Sequence, residues 1–187
     1  MVTAQAATVA DAAPDPVLDR ARAGDEDAFG ELVRTNQRLV YSLAWHMLRD
    51  RALAEDVAQE VFLQLSDRLD DIGSRAHLLH WLRRVTAHRA IDQARRQRAR
   101  PAVPLDETPT PHLATPDVDP WVTRTLRRLV ASLPPRARMV VVLRYQEDLD
   151  PLEIARLLDV PINTVKSLLR RSLAVLRRRA TALQEVR

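Results

Sequence analysis

Apolar residues recur every three or four positions through most of this chain, the spacing of one buried face of an α-helix. Phe29, Leu32, Val33, Leu39, Val40, Leu43, Ala44, Met47 and Leu48 form one such face and predict a helix over about 25–49. Leu53, Val57, Val61 and Leu65 predict a second, over about 52–69, whose polar side carries Asp56, Gln59, Glu60 and Asp67. After a break at Gly73, Leu78, Leu82, Val85 and Ile91 predict a third, over about 75–97, with its arginines outward. Later, Trp121, Leu126, Leu129, Val130 and Leu133 define another helix. Pro134 and Pro135 end it, and "RARMVVVLRYQE" forms the next.

The stretch that follows has the grammar of two linked helices. In "DPLEIARLL", Asp150 is an N-cap, Pro151 occupies the first helical position and Glu153 completes a capping box. This helix should end near Leu158, Asp159 should occupy the turn, and Pro161 should restart the chain. About four residues between helices is helix-turn-helix spacing. In the second helix, Val165, Leu168, Leu169, Leu173 and Leu176 recur at helical spacing and should pack inward. Asn163, Thr164, Lys166, Ser167, Arg170, Arg171 and Arg177 remain outside. Such a face offers donors to phosphates and base edges and holds no acid to repel them. Arg177 and Arg178 lie turns beyond Lys166 and Arg170, where a recognition helix leaves the bases and passes phosphates.

Charge sharpens this picture. The 187 residues carry a net charge of only +4, but the charges are segregated. Between Arg83 and Arg100 seven arginines face one acid, Asp92. From Pro161 onward seven bases, among them the chain's only lysine, Lys166, face Glu185 alone. Between Glu55 and Asp71, six acids face Arg68. Two basic blocks suit two contacts with a polyanion, and the acidic block suits a different partner.

Composition is helical, rich in Ala, Leu and Arg with three glycines, so the fold class is all-α. Six of the twelve prolines fall between Pro101 and Pro120 with four acids and no base. That segment reads as an extended acidic linker. The expected organisation is a disordered tail over 1–15, a helical domain over 16–100, the linker over 101–120 and a helix-turn-helix domain over 121–187. Absent cysteines exclude disulfides and thiolate metal sites and suit a reducing cytoplasm. No apolar run approaches the roughly 20 residues that span a bilayer, so no membrane partner is expected. His77 and His80, three apart, lack a well-spaced third ligand, so no metal is expected. There is no Gly-rich phosphate loop, nucleophile elbow or HExxH, which argues against an enzyme and against a cofactor.

"LPPRARMVVVLRYQEDLDPLEIARLLDVPINTVKSLLRRSLAVLRRR" resembles the promoter-recognition domain of bacterial sigma factors, in the extracytoplasmic-function (ECF) group of the sigma-70 family. "GDEDAFGELVRTNQRLVYSLAWHMLRDRALAEDVAQEVFLQL" and "WLRRVTAHRAIDQARRQR" resemble that family's other domain. The likeness covers about Pro16 to Arg179, both domains in order. Three positions depart from it. Asp159 stands where the family usually has glycine in the turn, Pro151 replaces a residue that is often aromatic, and His88 replaces a usual asparagine.

The resemblance implies core RNA polymerase and promoter DNA as partners, with an anti-sigma factor as a further candidate. It implies that Asp56, Gln59 and Glu60 dock on the polymerase. It also implies that the loop and helix holding Ser74, Arg75, His77, Trp81, Arg84, His88, Arg95 and Arg96 capture the unpaired non-template strand of the minus-ten element. Duplex minus-thirty-five DNA would then fall to Asn163, Thr164, Lys166, Ser167, Arg170, Arg171, Arg177 and Arg178. The alternative is a stand-alone helix-turn-helix transcriptional regulator, which would not co-purify with core polymerase.

Overall fold

The computed structural model describes residues 15–99 and 120–185. The tail expected up to Asp15 and the linker expected up to Pro120 otherwise lie outside these residues. Among the described residues the regular elements are all helical, as the composition implied. They are α1 Pro16–Arg22, α2 Glu26–Leu48, α3 Arg51–Asp67, a 3-10 turn Leu69–Asp71, α4 Arg75–Ala99, α5 Pro120–Ala131, α6 Pro135–Tyr145, α7 Pro151–Leu157 and α8 Ile162–Glu185. The chain forms two compact units, one up to Ala90 and one from Ile91, so the division falls within α4.

In the first unit aspartates start the first three helices. The Asp15 carboxylate accepts from the Val17 and Leu18 amides at 3.1 and 3.2 Å, that of Asp25 from the Ala28 amide at 3.0 Å, and that of Asp50 from the Leu53 amide at 3.1 Å. Each satisfies amides that the first turn leaves unpaired. The Ala28 amide, with the Arg20 guanidinium, holds the Asp25 carboxyl below the usual carboxylate range. Two residues past α1 stands Gly24, whose φ of 89° is the left-handed conformation that glycine adopts most easily. α2 packs against α1 and α3, and α1 and α3 both touch the 3-10 turn. Leu18, Leu32, Leu43, Met47, Leu65, Ile72, Leu78 and Leu82 are fully buried, each removal from water being worth about 1.5–3 kcal/mol.

α4 differs from its sequence pattern. Val85, expected inside, is half-buried, whereas Thr86, Ala87, Ala90 and Ala94 join Leu78, Leu82 and Ile91 as buried residues. Thr86 can be buried because its hydroxyl donates to the Leu82 carbonyl at 2.6 Å. Asn36 does the same in α2, its amide donating to the Leu32 carbonyl at 2.7 Å. A polar group bonded back one turn pays no unmet desolvation cost.

In the second unit, α6 is the central helix, buried at Ala137, Met139, Val140, Val141, Val142 and Leu143. Leu129, Leu133, Val141 and Leu176 form a core cluster joining α5, the α5–α6 corner, α6 and α8. Arg138 is 8% exposed within this helix. Its guanidinium donates to the carbonyls of Ala131 and Leu133, closing the C-terminal end of α5.

The capping box expected at α7 is present. Asp150 accepts from the Leu152 and Glu153 amides at 2.7 and 2.9 Å, and Glu153 accepts from the Asp150 amide at 2.6 Å. The bond from the Glu153 amide keeps the Asp150 carboxyl below its ordinary range. Leu158 to Pro161 make the turn into α8. Asp159 takes a left-handed φ of 50° there, and the Val160 amide returns to the Ala155 carbonyl at 3.0 Å. Aspartate tolerates that conformation, and a β-branched residue does not. Asp159→Val should therefore cost roughly 1–2 kcal/mol of stability, while Asp159→Gly should keep or raise the midpoint. Urea unfolding of the two variants checks this; a Val variant as stable as the parent would refute the strain.

The inner seam of α8 also runs partly through an unexpected residue. Val165 and Leu176 are buried as expected, and Ser172, at 3% exposure, lies between them on the same side. Leu168, Leu169 and Leu173 are only half-buried.

Candidate nucleic-acid interface

On α8, Asn163, Thr164, Lys166, Arg170, Arg171, Arg177 and Arg178 are exposed, and Ser167 is half-buried. Successive residues turn by about 100°, which sorts these side chains into rows. Lys166, Arg170 and Arg177 follow one flank, spaced four and then seven residues apart. Thr164, Arg171 and Arg178 follow the other, seven apart each time. Asn163 and Ser167 lie between the rows. Lys166 and Arg177 are about 16 Å apart along the axis, at about 1.5 Å per residue. The Arg171 Nε donates to the Ser167 carbonyl at 3.3 Å, which steadies one cation of the second row. Beyond Arg178, the Arg179 guanidinium donates to the Ser132 hydroxyl at the α5–α6 corner.

The capping box and the Asp159 turn set this helix against α7, which itself packs against α6. An α-helix carrying two cationic flanks and a short polar centre fits a groove whose edges are phosphates and whose floor is base edges.

Four of the side chains expected at the single strand lie along α4, from His77 to His88. His77, Trp81, Arg84 and His88 fall within about 60° of one another, on a single stripe. His77 is exposed and the other three are half-buried. The stripe has a defined entry. The Ser74 hydroxyl accepts from the His77 amide at 3.1 Å, and the Gly73 amide donates to the His77 Nδ1 at 3.3 Å. A carbonyl can only accept, so the His88 Nδ1, at 2.8 Å from the Arg84 carbonyl, is a donor. That leaves its Nε2 for another group.

Arg75 does not join the stripe, since its guanidinium lies 3.8 Å from the Asp15 carboxylate. Arg95 and Arg96, beyond Ala90, are exposed. Arg95 pairs with Asp92 at 3.2 Å and Arg96 donates to Gln93 at 3.4 Å.

The acidic side of α3 presents Asp56, Gln59 and Glu60 to solvent, with Leu63, 61% exposed, one turn further on. Glu60 has a partner that periodicity does not reveal. The Arg89 guanidinium of α4 donates to it, and also to Gln64 of α3 at 2.9 Å. These residues are 29 and 25 positions apart in the chain, so only the fold brings them together.

Family comparison agrees with the geometry. The model described as Sigma-70 region 2 matches residues 32–100, and the one described as Sigma-70, region 4 matches residues 123–176. The RNA polymerase sigma-E factor of Streptomyces avermitilis is 31% identical over 159 residues, covering 82% of this chain and 86% of that protein. The ECF RNA polymerase sigma factor SigM of Mycobacterium tuberculosis is 30% identical over 156 residues, covering 83% and 79%. The factor SigW of Bacillus subtilis is 27% identical over 174 residues, covering 86% and 93%. Among solved structures, that of CnrH in complex with the cytosolic domain of CnrY shares the fold, with a TM-score of 0.61 at 22% identity, covering 89% of this chain and 96% of that one. Among the described residues no helix is long and apolar enough to cross a membrane. The chain belongs to the sigma-70 family of RNA polymerase sigma factors, in its ECF group, and is a DNA-binding protein of transcription initiation.

Proposed function

We propose that this sigma factor docks on core RNA polymerase through the acidic side of α3 and directs promoter-specific initiation. In this reading α8 reads duplex minus-thirty-five DNA, and the α4 stripe holds the unpaired non-template strand of the minus-ten element. The observation that carries it is the outer face of α8, whose cationic rows flank a short polar centre behind a helix-turn-helix turn. The single-strand role is supported by the order of side chains on the stripe. A flat indole and two imidazoles can stack with unpaired bases, and Arg84 can hold a phosphate. An anti-sigma partner, as the family likeness implies, would act by covering one of these faces. The site of action is the cytoplasm, where polymerase and promoter meet.

Run-off transcription with core polymerase on a library of genomic fragments tests the proposal. The chain should add start sites that core alone does not use. Asp56→Arg should weaken polymerase binding at least about tenfold by setting like charges face to face. Asp56 is the better probe than Glu60, because reversing Glu60 would also break the link to Arg89. No new start sites, or unchanged polymerase affinity in the Asp56 variant, would overturn the assignment.

A further inference from the structure

Arg89 belongs to none of the surfaces described so far, yet it joins two of them. It follows His88 on the helix that carries the single-strand stripe, and its side chain is 36% exposed. Its guanidinium is held by Glu60 and Gln64, and Glu60 belongs to the acidic side of α3 assigned to the polymerase. We infer that Arg89 is a DNA-backbone contact held in reserve: Glu60 and Gln64 occupy it until a partner takes the α3 face, and it then turns to a strand phosphate on α4.

The energetics permit such an exchange. Glu60 is 56% exposed and Arg89 36%, so water screens their attraction, and a pair of this kind contributes little net stability. A cationic partner that desolvates Glu60 competes directly with Arg89 for the same oxygens. The displaced guanidinium keeps its charge at any physiological pH and is available to another anion. The polyanion next to α4 would be the captured strand, whose phosphates accept a guanidinium in two parallel bonds. The exchange makes strand capture stronger after docking than before it. This inference rests on the proposed roles of α3 and α4.

The test uses the full chain without polymerase and a fluorescein-labelled 20-mer of deoxythymidine, which presents phosphates and no promoter sequence. Glu60→Gln mimics the loss of Arg89's anion. It should bind the 20-mer several-fold more tightly than the parent, and its log–log salt slope should steepen by about 0.7, one added single-strand phosphate contact. Asp67→Asn removes the same charge from an exposed position on α3 and should produce a smaller gain with no change of slope. Adding Arg89→Gln to Glu60→Gln should return the slope to that of the parent. Thermal unfolding of each variant verifies that it is folded. Three results would overturn the inference: a Glu60→Gln slope like the parent's, an equal steepening in Asp67→Asn, or a steepened slope that survives removal of Arg89. None of these readings involves polymerase, so they stand apart from the transcription test of the overall function.

Discussion

Alanine at Arg170 is expected to weaken binding to the cognate minus-thirty-five duplex by roughly 1–3 kcal/mol, a loss of about 5- to 150-fold. At a scrambled duplex the loss should be much smaller. Arg170 lies two turns into α8 and is exposed on the flank it shares with Lys166, where a helix seated by its N-terminal turns meets base edges. Lys166→Ala should behave in the same sense, and by less if its ammonium holds a phosphate. Arg178, more than two turns beyond Arg170 and on the other flank, meets only backbone in this docking. Its replacement should weaken both duplexes alike and reduce the salt slope by about one unit. Equal losses at cognate and scrambled DNA for both Lys166 and Arg170 would make α8 an electrostatic anchor, and promoter choice would have to reside elsewhere.

Leu157→Ala should cost about 2–5 kcal/mol, the usual penalty for emptying a fully buried leucine site. Leu157 is 1% exposed on α7, the helix that α8 leans against. The 67 residues from 121 onward have about 3–10 kcal/mol in total to lose, at about 0.05–0.15 kcal/mol per residue. The variant should therefore populate an unfolded second unit at growth temperature and lose duplex binding. Polymerase docking through α3, which belongs to the first unit, should persist. Chemical unfolding and pull-down of core polymerase would separate the two effects. Full duplex affinity in this variant would mean that α7 does not support α8 as described.

Much of this architecture is legible in the sequence, and the reasons are local. Caps and periodicity located α2 and α7 to within a residue or two of Glu26–Leu48 and Pro151–Leu157. They ran α3 slightly long, because Leu69 continues the apolar pattern into a separate 3-10 turn. α1, seven residues long like α7, lies outside the apolar faces read along the chain. Its signal is the pair Asp15-Pro16, the same start signal as Asp150-Pro151.

Ser172 and Thr86 are buried without any sign of it in the apolar pattern. A hydroxyl reads as polar along a sequence, but the Thr86 hydroxyl satisfies itself on its own helix and can be buried. The Glu60–Arg89 and Arg179–Ser132 contacts were beyond reach, since nothing local links residues 29 and 47 positions apart. The candidate site divides in the same way. The outer face of α8 was legible from spacing alone, whereas the diversion of Arg75 to Asp15 and of Arg179 to Ser132 required the fold.

The aspartate caps have a consequence for synthesis. Each joins residues two or three apart, so the helix starts at Pro16, Glu26 and Arg51 are marked by contacts available as soon as a few residues have left the ribosome. Helical units held by short-range contacts fold in microseconds to milliseconds. Elongation proceeds at about 5–20 residues per second, so the segment from Ile91 onward takes seconds to appear. The first unit, complete by Ala90, should then be folded long before α8 exists. During that interval the nascent chain carries a formed α3 face, open to its partner, while the helix that reads duplex DNA is still unmade.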